Sequence, residues 1–249
     1  MSDQVFVSEI FSSIQGEGML AGRRQIFVRL MECNLDCRYC DTDFEKSDIC
    51  RVESQPGSGT LLDLPQPLPL EKISAIIAEW LSQLPGAHHS VSITGGEPLL
   101  HAAALAEWFP ALRKLLPVHL ETNGTMHAAL GRVKRDVDYI SMDMKLPSTA
   151  GCTEELWDLH ALFLREAHGT NVSVKVVVGE STSDGEIRQV CDVMASVDKA
   201  LPLFLQPLTL TDGTIGICAA HILRLQEVAS SRLPDVRVIP QMHKLLGAL

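Results

Sequence analysis

The chain has 249 residues, of which 46% are hydrophobic and 21% are charged, enough apolar material for one sizeable core. Its formal net charge is −10, which argues against the clustered basic surface of nucleic-acid-binding proteins. No apolar run approaches the roughly 18 residues of a transmembrane helix, and the first twenty residues lack a secretory pattern. The seven cysteines do not form the framework of a secreted disulfide-rich domain. We therefore expect a cytoplasmic protein that binds a small molecule rather than nucleic acid or a membrane.

Apolar, β-branched segments recur along the chain and are predicted to be strands. Segments with helical spacing lie between most of them. This alternation predicts an α/β fold with mainly parallel strands, either open or closed into a barrel or part of one, with functional residues at the carboxyl ends of the strands. The predicted strands are 5–11, 25–31, 90–94, 118–122, 138–143, 172–178, 203–207 and 236–240, and the predicted helices are 71–84, 99–116, 153–168, 184–197 and 215–232.

Residues 43–69 are rich in Pro, Gly and Ser and show no clear period, so they are predicted to be an irregular insertion. A connection of this length within a compact domain suggests a lid over a site or a mobile segment. No internal repeat or second domain is evident, and we expect residues 1–249 to form a single domain.

Three cysteines, Cys33, Cys37 and Cys40, fall within the stretch "CNLDCRYCDT". A structural zinc site would need four ligands, but Cys50 is ten residues beyond Cys40 and the first histidine is His88. Three thiolates on a [4Fe-4S] cluster would leave one iron without a protein ligand. The spacing resembles the signature of the radical S-adenosylmethionine (SAM) superfamily, in which the open iron binds SAM. A zinc loop and three incidental core cysteines are the alternatives.

The other four cysteines are isolated in the sequence. Because free cysteines are among the most often buried residues, we expect these to serve in packing. They are Cys50, Cys152, Cys191 and Cys218.

The stretch "SITGGEPLL" comes after the cysteine loop and is separated from it by one predicted helix. A strand ends at Thr94, two glycines allow close approach of the main chain to a ligand, and Pro98 is expected to open the next helix. Glu97 adds a carboxylate. An ordinary tight βα turn is the alternative. In a sequence that also contains the three-cysteine motif, however, TGGEP resembles the methionine-binding motif of the radical SAM superfamily.

Further polar residues lie at the ends of predicted strands, where a parallel fold would place its site. Singly, each is better explained as a turn former or helix cap, and only their common location favours a site. They are Glu121, Thr122, Asn123, Asp143, Lys145 and Gln206.

The segment "IFSSIQGEGMLAGRRQIFVRL" at 10–30, together with CxxxCxxCDT, TGGEP, ETNG and a PQxHK segment near the C-terminus, resembles the 7-carboxy-7-deazaguanine synthase (QueE) family. The resemblance covers nearly the whole chain. It implies conversion of 6-carboxy-5,6,7,8-tetrahydropterin to 7-carboxy-7-deazaguanine with loss of ammonia, by a radical ring contraction in which SAM is used catalytically. It also implies a homodimer and an electron donor such as flavodoxin.

The resemblance assigns roles to individual residues. Arg29 suits the pterin carboxylate, since a guanidinium makes bidentate contacts that a lysine cannot make; a surface arginine is the alternative. Thr42 matches the position of a magnesium ligand. The [4Fe-4S] ligands are Cys33, Cys37 and Cys40; substrate contacts are Ile14, Gln15, Gly16, Glu17, Arg29 and Thr94; SAM contacts are Tyr39, Asp41, Gly96, Glu97, Asp143, Lys145 and Gln206; and Glu121, Asn123, Gln241, His243 and Lys244 are further candidates.

Two other functions stay open at this stage. One is a radical SAM enzyme with another substrate, such as an activase of glycyl-radical enzymes, for which SIQGEG and Arg29 would have no evident use. The other is a non-enzymatic zinc-binding module. Two features also depart from a minimal family member, namely the long 43–69 segment and the tail "LLGAL".

Overall fold

The computed structural model describes residues 5–40, 47–151 and 156–249. In this part of the chain ten strands form one sheet, with the order β10-β9-β8-β7-β6-β5-β2-β1-β3-β4. The strands are β1 (Val7–Ile14), β2 (Arg24–Leu30), β3 (Ile49–Glu53), β4 (Leu61–Pro65), β5 (Ser90–Gly95), β6 (Val118–Thr122), β7 (Tyr139–Asp143), β8 (Asn171–Val178), β9 (Leu203–Pro207) and β10 (Val236–Val238).

The strands from β2 through β5 to β10 run parallel, each hydrogen-bonded to the next. β1 is antiparallel to β2. The two ends of the sheet, β10 and β4, do not pair with each other, so the sheet is open rather than a closed barrel. All eight predicted strands are confirmed, as is the prediction of a partial (β/α) barrel of mainly parallel strands.

The helices pack between and against these strands. The five predicted helices are confirmed in their described residues, although two have different bounds. The segment at 99–116 begins as a 3₁₀ helix at Pro98–His101, and the helix predicted at 215–232 begins only at Ala219. α3, α4 and α8 were not predicted, since each is too short to show a periodic pattern. None of the described helices could span a membrane. The helices are α1 (Leu70–Gln83), α2 (Ala102–Leu112), α3 (His127–Val133), α4 (Pro147–Ala150), α5 (Leu156–Ala167), α6 (Asp184–Ala195), α7 (Ala219–Ser230) and α8 (Met242–Leu246).

The prediction of an irregular segment at 43–69 is wrong for its described central part. β3 and β4 form an antiparallel hairpin there, and β3 pairs in parallel with β1 at the edge of the sheet. The Glu53 carboxylate holds the hairpin loop by accepting hydrogen bonds from the main-chain N–H groups of Gly57 at 2.9 Å and Gly59 at 2.6 Å. Sequence reasoning missed the strands because they are only five residues long and are flanked by Pro and Gly.

The isolated cysteines behave differently from one another. Cys50 and Cys191 are buried, as predicted, but the packing prediction is wrong for Cys218, which is exposed. Cys218 lies immediately before α7, where its main-chain N–H donates to the Glu180 carboxylate at 2.5 Å. Cys152 lies outside the described residues.

The two faces of the sheet differ in polarity. Residues such as Ile26 and Ile93 belong to the main hydrophobic core, whereas their neighbours in sequence, Gln25 and Ser92, are polar and fully buried. Since side chains alternate between the two faces of a strand, one face packs against helices and the other carries polar groups. That polar inner face positions the site.

Candidate active site

A cavity of about 580 Å³ lies at the carboxyl ends of the parallel strands. It collects nearly all of the described residues that the sequence singled out, although they come from distant parts of the chain. Asp41 and Thr42 lie outside the described residues. The predicted residues that line the cavity are Ile14, Gln15, Gly16, Glu17, Arg29, Cys33, Cys37, Tyr39, Cys40, Thr94, Gly96, Glu121, Thr122, Asn123, Asp143, Lys145, Gln206, Gln241, His243 and Lys244.

The three clustered cysteines lie on the loop that follows β2. Cys33 and Cys37 are half-buried and Cys40 is exposed, and none of the three is in a disulfide. Two donors approach the sulfur of Cys33, the main-chain N–H of Leu35 at 3.5 Å and the side-chain amide of Asn123 at 4.0 Å. Burial raises the pKa of the Cys33 thiol. Within the described ranges, no three His, Cys, Asp or Glu side chains form a site ready for a single metal ion.

The glycine pair after β5 lets two loops meet at their main chains. A Cβ atom on Gly96 would lie 1.9 Å from the Glu32 carbonyl oxygen, and one on Gly95 would lie 2.1 Å from that of Leu30. The N–H of Gly96 donates to the Leu30 carbonyl at 3.1 Å. The sequence suggested that these glycines allow close approach of the main chain to a ligand. The structure shows that they are also needed because the main chain of the preceding loop lies against them. The glycines hold the chain that leads directly into Cys33.

Glu97 does not line the cavity, contrary to its predicted contact with SAM. It is fully buried, and its carboxylate accepts hydrogen bonds from the Thr122 hydroxyl at 2.9 Å and the main-chain N–H groups of Leu99 and Asn123 at 3.0 and 2.7 Å. Burial raises the pKa of Glu97, although these hydrogen bonds oppose the shift. Glu97 therefore braces the β5 turn against the end of β6.

Arg29 faces the cavity beside an acidic partner that the sequence did not suggest. Its Nε lies 2.9 Å from Glu9 Oε1, an ion pair that is not aligned as a hydrogen bond. Glu9 also pairs with Arg51 at 3.4 Å. The guanidinium of Arg29 lies 5.6 Å from the ring centre of Phe11, which stacks on Phe27. This side of the cavity therefore places the Arg29 guanidinium beside the aromatic rings of Phe11 and Phe27, an arrangement that suits a flat anion.

Glu17 is a hub that joins the first strand loop to three distant segments. One carboxylate oxygen pairs with Lys175, and the other accepts hydrogen bonds from Gln206 at 3.1 Å and Gln241 at 2.7 Å. Burial by itself raises the pKa of Glu17, but the charge of Lys175 and the hydrogen bonds from Lys175 and Gln241 bring it down to about 2. Glu17 is therefore a carboxylate at neutral pH, with both oxygens engaged.

The C-terminal segment closes over the same loop. The N–H of Met242 donates to the carbonyl of Gly16, a predicted substrate contact, at 3.1 Å. A Cβ on Gly16 would lie 2.0 Å from Nδ1 and 2.8 Å from the main-chain nitrogen of His243. Glycine at this position allows α8 to lie directly against the SIQGEG loop.

Alternating charges continue from Lys175 across the ends of β7 and β8. Asp143 Oδ2 lies 3.3 Å from the ammonium of Lys175 and 2.7 Å from that of Lys145. Lys145 also donates to the Tyr39 hydroxyl at 3.0 Å. Burial lowers the pKa of Lys145, but the charge of Asp143 raises it well above its usual range. Asp143 Oδ1 and Gln206 Oε1 are buried without a hydrogen-bond partner among the described residues.

Below this layer, a chain of amides reaches the sheet interior. Gln15 accepts a hydrogen bond from the main-chain N–H of Glu17 at 3.0 Å and donates to Gln25 and Glu121, both at 3.0 Å. Gln15 is a predicted substrate contact, and its side-chain oxygen already accepts this hydrogen bond within the protein. Glu121 also accepts a hydrogen bond from Ser92 at 2.5 Å.

Sequence reasoning missed Glu9, Lys175 and Ser141, which also line the cavity. Two of them carried a signal, since Lys175 interrupts the apolar run "VSVKVVV" and Glu9 interrupts "VFVSEIF". A charge within a buried strand points to a partner or a site. Nothing comparable marks Ser141.

Comparison with known proteins adds a family match. Residues 30–192 match the model of the radical SAM superfamily. The chain is 48% identical over 244 residues to the 7-carboxy-7-deazaguanine synthase of Geobacter sulfurreducens, covering 98% of this chain and 97% of that protein. It is 36% identical to the protein of the same name from Methanothermobacter thermautotrophicus, covering 97% and 96%.

Solved structures agree on the fold. QueE from Escherichia coli superposes with a TM-score of 0.62 at 23% identity, covering 95% of this chain and 94% of that one. A radical SAM methyltransferase from Sphaerobacter thermophilus gives a TM-score of 0.57 at 14% identity, covering 88% and 66%. At these identities the likeness concerns the fold alone.

Proposed function

Because the chain belongs to the 7-carboxy-7-deazaguanine synthase family of radical SAM lyases, we propose that it converts 6-carboxy-5,6,7,8-tetrahydropterin to 7-carboxy-7-deazaguanine and releases ammonia. The observation that carries the proposal is a single cavity lined both by the three clustered cysteines and by Arg29, Glu17 and Glu121. The product is a precursor of queuosine and other 7-deazapurines.

The cysteine loop suits an iron–sulfur cluster. Cys33, Cys37 and Cys40 would hold it, since all three line the cavity and none is in a disulfide. The N–H donors near Cys33 suit a sulfur that carries negative charge. With SAM, a reduced [4Fe-4S] cluster supplies the hydrogen-abstracting radical. The protein's own contribution is to bind and orient the substrate and to exclude competing reactions.

The groups proposed for SAM are those around Asp143. Asp143 Oδ1 and Gln206 Oε1 are buried acceptors that lack a partner among the described residues, and SAM carries hydroxyl and ammonium donors that would satisfy them. Lys145 and Tyr39 lie beside Asp143. Gly96 contributes main chain at the cysteine end of the cavity.

The pterin would lie against Arg29 and the SIQGEG loop. Arg29 would bind the substrate carboxylate, and its ion pair with Glu9 would help to hold the guanidinium in place. The amino and N–H groups of the pterin ring need acceptors, which Glu121 and the main chain near Ile14 and Gly16 provide. Glu17 acts indirectly, because its tie to Lys175, Gln206 and Gln241 fixes the loop. Thr94, the register partner of Arg29 in the β2–β5 pairing, would also contact the pterin.

Further requirements follow from the family resemblance. We propose Mg²⁺ as a cofactor with Thr42 as its protein ligand, because magnesium keeps several waters and can use substrate oxygens. A small electron-transfer protein such as flavodoxin would reduce the cluster in the cytoplasm, and the enzyme would act as a homodimer. Asp41 would contact SAM.

The alternatives gain no support from the site. A glycyl-radical activase would have no evident use for Arg29 and the Glu17 carboxylate at the cavity lining. A non-enzymatic zinc module would not need an inner sheet face lined with polar side chains. The family to which the chain belongs consists of enzymes, so the synthase reaction is the proposal that we retain.

The proposal can be tested with reconstituted protein under anaerobic conditions. Incubation with reductant, SAM, Mg²⁺ and 6-carboxy-5,6,7,8-tetrahydropterin should yield 7-carboxy-7-deazaguanine, detected by mass spectrometry. A Cys37→Ala variant should lose both product and bound iron. The matched control, Cys218→Ala, removes an exposed thiol outside the cavity and should keep both.

Three results would count against the proposal. Zinc in place of iron and sulfide in the anaerobically purified protein would restore the zinc-module alternative. Cleavage of SAM without product would leave a radical SAM enzyme with another substrate. An unchanged amount of product in the Cys37→Ala variant would show that Cys37 is not a required cluster ligand.

A further inference from the structure

We infer that the side-chain amide of Asn123 donates a hydrogen bond to the sulfur of Cys33 and so raises the reduction potential of the cluster, and that a hydrogen-bonded ring with Asn34 and Thr125 holds this amide in place. The inference rests on the proposed function, since it concerns the cluster that Cys33 would bind. Asn123 follows β6 directly, and Asn34 is the residue after Cys33 on the cysteine loop.

The orientation of the Asn123 amide is fixed by a group that can only donate. The main-chain N–H of Thr125 lies 3.1 Å from Asn123 Oδ1, so that atom must be the oxygen. The other terminal atom, Nδ2, is therefore the nitrogen and carries two protons. It lies 2.8 Å from Asn34 Oδ1 and 4.0 Å from Cys33 Sγ. One proton goes to Asn34, and the other is available to the sulfur.

The side chains of Asn123, Asn34 and Thr125 form a closed ring. Because Oδ1 of Asn34 accepts from Asn123, the amide nitrogen of Asn34 is the group that faces the Thr125 hydroxyl, at 2.9 Å. An amide nitrogen can only donate, so the hydroxyl accepts this bond. The hydroxyl then donates its own proton to Asn123 Oδ1 at 2.7 Å. Each side chain donates to the next, and this direction is the same all round the ring.

The main chain of Asn123 is anchored as well. Its N–H donates to the Glu97 carboxylate at 2.7 Å, and its carbonyl oxygen lies 3.2 Å from Nε2 of His160. Asn123 and Thr125 are buried, whereas Cys33 is half-buried. The ring therefore ties the cysteine loop to the end of β6 and presents an N–H to the first cysteine of the motif.

A donor to a cluster sulfur changes the reduction potential in a definite direction. Reduction by one electron adds negative charge that is shared by the sulfurs, so an N–H donor stabilises the reduced form more than the oxidised form. The main-chain N–H of Leu35, 3.5 Å from Cys33 Sγ, acts in the same sense but is not removed by a side-chain substitution. Asn123 is the donor whose removal can be tested, and its contact would make the cluster easier to reduce.

A redox titration of the cluster-loaded protein tests the contact without turnover. The reduced cluster is followed by electron paramagnetic resonance in the absence of SAM and pterin, so that contacts of Asn123 with a ligand cannot contribute. At a fixed solution potential, Asn123→Ala should lower the ratio of reduced to oxidised cluster by about 3- to 10-fold, because a hydrogen bond to a charged group is lost. For a one-electron couple this is a shift of about 30 to 60 mV toward more negative potential.

Two variants at one position test the role of the ring. Thr125→Ser keeps the hydroxyl and should match the wild-type ratio within about 2-fold. Thr125→Val has nearly the same shape but cannot join the ring, so it should lower the ratio in the same direction as Asn123→Ala. Combining Thr125→Val with Asn123→Ala should add little, since the hydroxyl acts through the amide. Asn171→Ala, which removes a different side-chain amide hydrogen bond at the start of β8, is the control and should leave the ratio unchanged.

The outcomes separate this inference from the proposed function. Iron and sulfide are measured for every variant, and if Asn123→Ala loads no cluster, the Ser and Val variants of Thr125 decide the inference. A cluster-loaded Asn123→Ala variant with the wild-type potential would overturn the inference alone. Equal ratios for the Ser and Val variants would overturn the positioning role. A wild type that binds zinc in place of an iron–sulfur cluster would overturn both the function and the inference.

Discussion

Replacing Glu17 with Gln removes a buried charge and keeps the size of the side chain. The pKa of Glu17 is about 2 in the folded protein, against an ordinary value of 4.5, and this difference corresponds to about 3 kcal/mol of stability. Because folding lowers the pKa, the stabilisation is present above pH 4.5 and is lost as the pH falls toward 2. We expect Glu17→Gln to be less stable at pH 7 by about 3 kcal/mol, since Lys175 loses a charged partner.

Urea denaturation of the wild type and the variant at several pH values measures this effect. Between pH 5.5 and 3.5 the wild type should lose about 1 kcal/mol more than the variant. Glu166→Gln is the control, since Glu166 pairs with Lys134 on the surface and should cost less than about 1 kcal/mol. Parallel pH profiles for wild type and Glu17→Gln would refute the reasoning, as would a loss at pH 7 no larger than that of the control.

Three other substitutions give distinct readouts. Gly16→Ala should displace the C-terminal helix, because its Cβ would meet His243, and should make the C-terminus more sensitive to carboxypeptidase; an unchanged digestion rate would contradict this. Gly96→Ala should lower the iron content of reconstituted protein, because its Cβ would lie 1.9 Å from the Glu32 carbonyl oxygen; full iron loading would show that the loop contact is dispensable. Arg29→Lys should raise the KM for the pterin by about 10- to 100-fold with little change in the KM for SAM, since it loses a bidentate contact to a charged group; an unchanged pterin KM would remove Arg29 from the carboxylate site.

The parts of the fold that sequence could predict are those with a strong local pattern. The apolar runs of the parallel strands and the periodic face of α1, with Ile73, Ile77 and Trp80 buried, depend on neighbours in sequence and were predicted correctly. The hairpin of β3 and β4 depends on a distant contact, since β3 is held by pairing with β1. Its short strands and proline-rich surroundings carry no local signal for that contact.

The candidate site divides in the same way. Cys33, Cys37 and Cys40 are close in sequence, so their spacing alone was enough to predict an iron–sulfur cluster site. Lys175 acquires its role only when β8 comes beside β7 and the SIQGEG loop, which brings Glu17 and Asp143 to it. For Glu97 the sequence motif suggested a contact with a ligand. In the structure its hydrogen-bond partners are protein groups, two of them at the end of β6, so it stabilises the turn after β5. Neither residue could be assigned without the register of the strands.

The ratio of product to consumed SAM tests the central claim most directly. With reduced, cluster-loaded protein and excess 6-carboxy-5,6,7,8-tetrahydropterin, 7-carboxy-7-deazaguanine and 5′-deoxyadenosine would be quantified together by mass spectrometry. Because the family resemblance implies that SAM is used catalytically, the account predicts more product molecules than 5′-deoxyadenosine molecules, and no product when the pterin is omitted. Accumulation of 5′-deoxyadenosine with no 7-carboxy-7-deazaguanine would contradict it.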